Sequence, residues 1–375
     1  MKKIAWVTSD CYLDTDLPII KCLENDNKYL IHWYVILPKG AKINNWDSII
    51  KNSITNSIIH IHIHKLRYRL SSIFTFFQLL NILLRAKSHN IDLLYIDAEI
   101  DPYFSILAKL IFGGKKIIFA IHDVIPHLGF SKKYQYVIDT RVNLFENFHI
   151  FSKTQQNYFT NKYKSKNKKT FQIPQLLKDF GSPSSDISEK SEKVNFLFFG
   201  TLRSNKGIDL LIDAINKLTI THKGRFEMTI AGFGKDWSIY ENKIFDKSVF
   251  NLKIRIIGNN EIADLFNLAD YIVLPYRDVT QSGPLMIAYN YGIPPIASNL
   301  EGFSEYIEDN INGFLFKDGD VQSLYEKFIY VIENNNENLD YIKLNLSNFI
   351  NSNLKDSIIK SEYECMFDSI LMQNN

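Results

Sequence analysis

One stretch of the sequence decides the fold, Phe198-Phe199-Gly200-Thr201-Leu202-Arg203-Ser204-Asn205-Lys206-Gly207-Ile208-Asp209-Leu210-Leu211. An apolar run that is typical of a buried strand ends at Gly200, a short polar turn follows, and an amphipathic helix begins near Lys206. A strand that leads through a tight turn into a helix is the first part of a βαβ unit. The segment therefore predicts an α/β fold with a parallel sheet.

The same alternation occurs along the whole chain. Strands are predicted at Ile4–Val7, Ile31–Leu37, Ile58–Ile63, Leu93–Ile96, Lys116–Ile121, Phe148–Phe151, Asn195–Phe199, Phe226–Ala231, Lys253–Ile257, Tyr271–Leu274 and Pro295–Ala297. Helices are predicted at Leu17–Glu24, Ser71–Lys87, Tyr103–Ile111, Lys206–Leu218, Glu261–Leu268, Leu285–Tyr291 and Val321–Glu333. Two such series predict two doubly wound, Rossmann-like domains.

The break between the series lies at 181–193, a small, polar segment without periodicity that is typical of a linker. The predicted domains are therefore residues 1–180 and 194–353. The tract 334–338 is predicted to be a polar connection between helices.

Composition limits the class of protein. With 375 residues, 46% of them hydrophobic and 22% charged, the chain is too apolar for disorder and long enough for two domains. Residues 1–180 carry 25 Lys and Arg against 14 Asp and Glu, whereas residues 181–375 carry 18 against 27. The three cysteines exclude a disulfide framework and suit a reducing cytosol. We expect no secretory signal and no membrane span, since the longest apolar stretch, 73–84, is too short to cross a bilayer.

Two strand-to-helix turns of the second half have the chemistry of an anion site. Gly200 permits close approach of the backbone, and Arg203 and Lys206 place two cations near a helix N-terminus, which suits a diphosphate. Ser282 and Gly283 would direct backbone amides over the start of a second helix. A third turn carries Glu305, for which a surface carboxylate is an equally good interpretation. Neither a Walker loop nor a dinucleotide fingerprint is present.

Several motifs follow one another in this half. They are Gly200–Leu211, Ala231-Gly232-Phe233-Gly234, Ala269–Tyr276, Gln281-Ser282-Gly283, Gly292–Ser298, Glu305 and Asn312-Gly313-Phe314-Leu315. The series resembles glycosyltransferase family 4, a group of retaining, nucleotide-sugar-dependent GT-B enzymes. It covers about residues 195–330, and the first half resembles the family more weakly, through Phe119–His127.

The resemblance implies a GT-B fold, in which two Rossmann-like domains face a central cleft. Arg203 and Lys206 match the cationic pair on the donor diphosphate, and His122 matches the histidine close to the transferred sugar. Gly200, Gln281, Ser282, Gly283 and Glu305 are the further residues expected to contact substrate, as is His127, for which a plain loop role is the alternative. The final helix, at about 354–375, would pack back on the first domain.

The sequence departs from the family pattern at two positions. The family has two Glu residues eight positions apart, where this chain has Val279 and Ile287. Neither side chain can hydrogen-bond a sugar. The Gln281-Ser282-Gly283 motif looks like a sub-branch that uses amide and hydroxyl groups instead, with Asp278 and Thr280 as further candidates.

The expected activity is transfer of a sugar from a nucleotide sugar to a glycan, with a retaining mechanism and without a metal or other cofactor. The acceptor is expected to be lipid-linked, as in surface polysaccharide or O-antigen biosynthesis. The basic first half and the helix at 71–87, with its flanking Arg67 and Arg69, suggest contact with an anionic membrane, although a core-facing helix explains the apolar run equally well. We expect a cytoplasmic protein, peripheral at the inner face of the membrane, and no nucleic-acid partner.

Two other patterns have competing interpretations. Asp14 and Asp16 match the metal-binding motif Asp-x-Asp, but helix N-capping is the preferred role. His60, His62 and His64 share one face of a strand, where a polar face is preferred over a zinc site.

Two further functions remain open: a nucleotide-sugar epimerase of the same fold, and a catalytically silent subunit that binds a sugar nucleotide within a polysaccharide assembly complex. The basic first half counts against the epimerase, and the missing Glu pair keeps the silent subunit open.

Overall fold

The computed structural model describes residues 1–24, 27–40, 50, 53–98, 100, 103–125, 132–184 and 192–372. The chain forms two compact units, one made of Met1–Leu176 and Lys355–Asn375, the other of Leu177–Leu354.

The first unit is built on a parallel sheet. Its strands are β1 (Lys2–Ser9), β2 (Tyr29–Leu37), β3 (Ile59–Lys65), β4 (Leu93–Asp97), β5 (Ile117–Ile121), β6 (Asn147–Ile150) and β7 (Lys169–Gln172). They lie in the order β3-β2-β1-β4-β5-β6-β7, and every pair is parallel. The chain winds outward in both directions from β1 and β4, so the switch point of the sheet lies between these two strands.

Helices cover both faces of this sheet. They are α1 (Leu13–Leu23), α2 (Ile73–Ser88), α3 (Tyr103–Phe112), α4 (Lys132–Leu144) and α5 (Lys153–Tyr163). One apolar core joins one face of the sheet to α2, α3 and residues of α4 and α5, and a second core joins the other face to α1. Strands buried on both faces explain the nearly continuous apolar runs in the sequence.

The second unit repeats the plan with six strands. They are β8 (Val194–Phe199), β9 (Phe226–Gly232), β10 (Phe250–Ile254), β11 (Tyr271–Leu274), β12 (Pro295–Ser298) and β13 (Phe314–Phe316). Their order is β10-β9-β8-β11-β12-β13, again all parallel, with the switch point between β8 and β11. The helices are α6 (Ile208–His222), α7 (Trp237–Glu241), α8 (Asn259–Leu268), α9 (Gly283–Asn290), α10 (Glu301–Ser304), α11 (Val321–Glu333) and α12 (Asn335–Asn353). The predicted α/β fold with two Rossmann-like domains is confirmed.

A final helix, α13 (Asp356–Leu371), belongs to the first unit although it follows the second in the chain. The rings of Tyr363 and Phe367 lie 5.8 and 6.0 Å from that of Trp6 on β1. At the rim of this contact the Lys28 ammonium lies 2.9 Å from the carboxylates of both Glu364 and Asp368. The helix closes one face of the first sheet, and its apolar side chains are part of that core.

The sequence did not predict six elements: the short strands β7 and β13, the polar helices α4 and α5, and the short helices α7 and α10. It also placed a connection at 334–338, where the structure begins α12 at Asn335. Most of the predicted linker, residues 185–191, lies outside the described residues.

None of the helices in the described part of the chain has both the length and the apolar character needed to cross a bilayer.

Candidate active site

In the second unit the candidate residues lie at the carboxyl ends of β8 and β11, at the switch point where ligands bind in doubly wound sheets. The backbone there is packed too closely for side chains. Gly200 follows β8 with a φ of 141°, and a Cβ on Gly232, at the end of β9, would lie 1.8 Å from the Gly200 carbonyl oxygen. Glycine is therefore required for the turns at these two strand ends to approach each other.

The turn that carries the two predicted cations is pressed against the end of β11. Gly207 has a φ of 66°, and a Cβ there would lie 1.7 Å from the Pro275 carbonyl oxygen. The Lys206 ammonium lies 3.7 Å from the centroid of the Tyr276 ring, where the electron-rich face attracts a cation. The Arg203 side chain is exposed and forms no ion pair with any described residue. Lys206 therefore reaches from the end of β8 to the end of β11, and Arg203 stands beside it with its donors accessible.

Arg277, which sequence reasoning missed, braces this turn. Its guanidinium donates two hydrogen bonds of 2.8 Å to the Asp209 carboxylate on α6 and one of 2.8 Å to the Ser204 carbonyl oxygen. Its backbone amide donates to the Asn205 carbonyl oxygen at 2.9 Å. The hydrogen bonds from Arg277 lower the pKa of Asp209, so the pair is ionised at neutral pH. Arg277 positions the turn that carries Arg203 and Lys206.

The first turn of α9 forms the neighbouring part of this edge. Ser282 is the N-cap residue, and its hydroxyl accepts a hydrogen bond from the Leu285 amide at 3.3 Å. Ser282 is therefore buried, and its hydroxyl oxygen caps the first turn of α9. Lys178, only 8% exposed, brings its ammonium within 3.5 Å of the position that a Cβ on Gly283 would occupy. A third cation, also missed from the sequence, therefore lies at a helix end that itself favours anions.

The remaining predicted residues of this unit surround that turn. Gln281 and Glu305 are half-buried, and Glu305 directly follows α10. A Cβ on Gly302 would lie 2.6 Å from the Val279 carbonyl oxygen, so the turn before Glu305 packs on the segment before Gln281. Ile287, one of the two positions for which the resemblance implied Glu, is a core residue at 5% exposure. The backbones of these turns are thus close together.

In the first unit, His122 follows β5 near the switch point of its sheet. Its Nε2 lies 2.8 Å from Oδ1 of Asp97, which ends β4 and is fully buried. The ring is stacked between Tyr12 at a centroid distance of 3.8 Å and Phe151 at 4.2 Å. The imidazole is therefore held in one orientation, with Nε2–H donating to the carboxylate.

A second buried carboxyl group lies behind this pair. Oδ2 of Asp16 accepts hydrogen bonds from the Trp6 indole at 2.9 Å and the Thr8 hydroxyl at 2.6 Å. Burial and the nearby charge of Asp97 raise the pKa of Asp16 well above its usual range. The expected helix cap is wrong for Asp16, since α1 begins at Leu13 and Asp16 turns into the core instead.

Sequence reasoning found His122 but not Asp97, and it named Asp16 only as a helix cap or a metal-binding alternative. A residue's partners on neighbouring strands leave no local signal. His127 lies outside the described residues.

The candidate residues at the carboxyl ends of β8 and β11 lie within a segment that matches a known family. Residues 193–334, which hold the β8, α6, β11 and α9 features described above, match the model of the family "Glycosyl transferases group 1". A glycosyltransferase group 1 segment is therefore identified in the second unit.

Individual relatives are similar over part of their length. The chain is 29% identical over 196 residues to an uncharacterized glycosyltransferase, MJ1069, of Methanocaldococcus jannaschii, a match that covers 49% of this chain and 48% of that protein. It is 30% identical over 142 residues to the amylovoran biosynthesis glycosyltransferase AmsK of Erwinia amylovora, covering 36% of this chain and 34% of AmsK. The matches thus span about half or less of these curated relatives.

The likeness in three dimensions covers nearly the whole chain. HepE of Anabaena, solved in complex with UDP and glucose, superposes with a TM-score of 0.76 at 16% identity over 98% of this chain and 100% of HepE. At this identity the likeness shows the fold alone. The GT-B fold class expected from the resemblance is confirmed by such neighbours.

Proposed function

We propose that the chain is a glycosyltransferase that takes a sugar from a nucleoside diphosphate sugar bound by the second unit. The proposal is carried by one observation. Lys206 and Arg203 lie at the switch point of the second sheet, in a turn that Arg277 holds against the end of β11, within the segment that matches the group 1 family. The buried ammonium of Lys178 at the start of α9 adds to the positive potential there.

The chemistry follows from the charge that develops on the leaving group. As the bond between the anomeric carbon and the phosphate oxygen breaks, negative charge collects on the diphosphate, and cations fixed beforehand stabilise that charge without reorganisation. We assign this role to Arg203 and Lys206. Gly200, Gln281, Ser282, Gly283 and Glu305 are proposed as the surrounding donor contacts. Because Ser282 caps α9, we assign its role to backbone atoms rather than to its hydroxyl.

We propose a retaining, metal-independent reaction. The acceptor hydroxyl attacks the face from which the phosphate departs, its oxygen bonds to the anomeric carbon, and its proton passes to the departing phosphate oxygen. His122 is proposed to contact the sugar or the acceptor, because Asp97 and two aromatic rings hold its imidazole rigidly. His127 is proposed as a further residue that contacts the substrate.

The acceptor is proposed to be a lipid-linked glycan at the inner face of the cytoplasmic membrane. The net positive charge of residues 1–180 supports this. So does the start of α2, where Ile73, Phe74 and Phe77 are more than half exposed. AmsK, similar over a third of its length, is named for the biosynthesis of a polysaccharide, amylovoran.

The donor site is tested by calorimetry with UDP and UDP-glucose, the ligands named for HepE structures. The double variant Arg203→Ala/Lys206→Ala should bind at least about tenfold more weakly, because a hydrogen bond to a charged group contributes about 1.5–3 kcal/mol. Lys217→Ala is the matched control, since Lys217 is an exposed cation near the other end of α6. Equal affinity of the wild type, the double variant and the control would contradict the assignment of Arg203 and Lys206 to the diphosphate. If neither ligand binds the wild type, a thermal-shift panel of other nucleotide sugars identifies the donor.

A second function is a silent subunit that binds a sugar nucleotide without transferring the sugar. Val279 and Ile287 in place of the Glu pair favour it. Release of nucleoside diphosphate that depends on a lipid-linked acceptor would exclude the silent subunit, whereas tight binding without release would exclude the transferase. The epimerase alternative predicts release without any acceptor.

A further inference from the structure

The fold gathers five histidines at one edge of the first sheet. Three alternate along β3 at positions 60, 62 and 64, and the parallel register places His32 of β2 opposite His60. His89 joins them as the C-cap residue of α2. The sequence pattern showed only the three histidines of β3, because sheet register brings in His32 and helix packing brings in His89.

Three of these side chains have the spacing of a metal site. One ring nitrogen from each of His32, His62 and His89 can be chosen so that all lie within 4.8 Å of one another. Nδ1 of His32 and Nε2 of His62 are 3.3 Å apart. Two nitrogens bound to one tetrahedral zinc ion at about 2.0–2.1 Å are themselves separated by about 3.4 Å. This pair therefore already has the separation of two ligands on one ion. Because the two nitrogens share a hydrogen bond and His32 is stacked on both other rings, the three rings must rotate so that their lone pairs converge on the ion.

The burial of the three rings suits a site that a small ion can enter. His32 is 3% exposed, whereas His62 and His89 are half-buried, which leaves a path from solvent. A neutral imidazole nitrogen is the usual protein ligand of zinc, and the group needs no other side chain to supply three such nitrogens.

We propose that His32, His62 and His89 form a binding site for one divalent zinc-type cation. This site goes beyond the proposed transferase activity and does not depend on it. Three imidazoles fill three positions of a tetrahedral ion, and the fourth takes a water molecule or His60, whose ring lies 5.0 Å from that of His32. The ligands come from β2, β3 and α2, so the bound ion ties the edge strand to the sheet and to the end of the helix.

Nearby cations limit the affinity. Lys3 lies near His32, and Arg85 on α2 lies near His62 and His64. Their positive charges oppose a bound dication. We therefore expect reversible binding that a chelator removes, rather than a permanently held structural metal.

The test is calorimetric titration of the chelator-treated, full-length protein with ZnCl2. We expect one ion per chain, and we expect Mg²⁺ to give no signal because it prefers oxygen ligands. His62→Ala and His89→Ala should each lower zinc affinity at least tenfold. His222→Ala, which removes a histidine of the second unit, is the matched control and should bind as the wild type does.

Two further measurements guard against variants that bind poorly because they are misfolded. Zinc should raise the melting temperature of the wild type and of His222→Ala, but not that of His62→Ala, and circular dichroism checks that each variant is folded. Co²⁺ in place of zinc should give the visible absorption of a tetrahedral site in the wild type and in His222→Ala, but not in His62→Ala or His89→Ala. Zinc binding that persists in both folded His variants, or no binding in the wild type, would overturn the site and leave the histidines as the polar face of a strand.

Discussion

At the scale of single residues, the first unit holds His122 more rigidly than a loop histidine requires. Asp97 anchors one edge of the ring, and Tyr12 and Phe151 cover its two faces. Asp97 is itself fully buried, and Asp16 lies nearby. A buried carboxyl group is costly unless it is hydrogen-bonded, and here the partner is His122.

We predict that His122→Ala lowers turnover by a factor of about ten or more with the fold intact, because a positioned imidazole in a transfer site typically contributes at least that factor. Asp97→Asn should lower turnover in the same direction, since the amide keeps the shape but not the charge that orients the ring. The measurement is the initial rate of nucleoside diphosphate release. An unchanged rate in His122→Ala would exclude this residue from the mechanism. His222→Ala serves as a control for loss of a histidine elsewhere.

The residues found from sequence and those missed differ for a physical reason. Arg203 and Lys206 are adjacent to the glycines and strand end that define their turn, so a local pattern identifies them. Arg277 acts on the same turn from the end of another strand, 68 positions beyond its partner Asp209. Asp97 and His122 are likewise 25 positions apart. Contacts of this kind depend on strand order, which one sequence does not specify.

At the scale of elements, α2 combines both interpretations that the sequence allowed. One side of the helix, including Leu79, Ile82 and Leu83, packs in the core of the first unit. At its start, however, Phe74 and Phe77 are 58% and 59% exposed. The apolar run thus exceeds what the core covers, and the excess lies beside the exposed cations at 67 and 69.

We predict that this end of α2 binds membranes that contain anionic lipid. The double variant Phe74→Ser/Phe77→Ser should float with such vesicles at least about tenfold less than the wild type at low salt, because each buried aromatic ring contributes roughly 1.5–3 kcal/mol. The matched control is Ile220→Ser, which changes a residue of the second unit that is 78% exposed. If the wild type itself stays off the vesicles, the membrane contact is abandoned.

Secondary structure was predictable where an element carries a strong apolar pattern. The long buried strands and α11 match their predicted positions closely, since burial on both faces or on one helical stripe determines their composition. The edge strands β7 and β13 have only four and three residues, too few for a pattern. Helices α4 and α5 have polar sequences, and packing against the sheet, rather than local propensity, stabilises them.

At the scale of the whole molecule, the first unit depends on a helix that is distant in sequence. Phe367 of α13 is fully buried among the rings of Trp6, Tyr29, Tyr95 and Tyr363. The chain therefore supplies part of the first core only after it has completed the second unit.

We predict that Phe367→Ala destabilises the first unit by about 3–5 kcal/mol, the usual cost of removing a buried aromatic ring. Hydrogen exchange measured by mass spectrometry should show faster exchange in β1, β2 and β4 and unchanged exchange in β8–β12. Met372→Ala, at a position 74% exposed beside the end of the same helix, should change stability by less than about 0.5 kcal/mol. Equal loss of protection in both units would show that they unfold together, contrary to the division described here.

The return of α13 also has a consequence for biosynthesis. As the polypeptide leaves the ribosome, residues 177–354 emerge and can fold before α13 exists outside the exit tunnel. During that interval the part of the first core that α13 completes lacks its cover, and exposed apolar surface of this kind favours aggregation and chaperone binding. The half that is translated first is therefore the half that matures last.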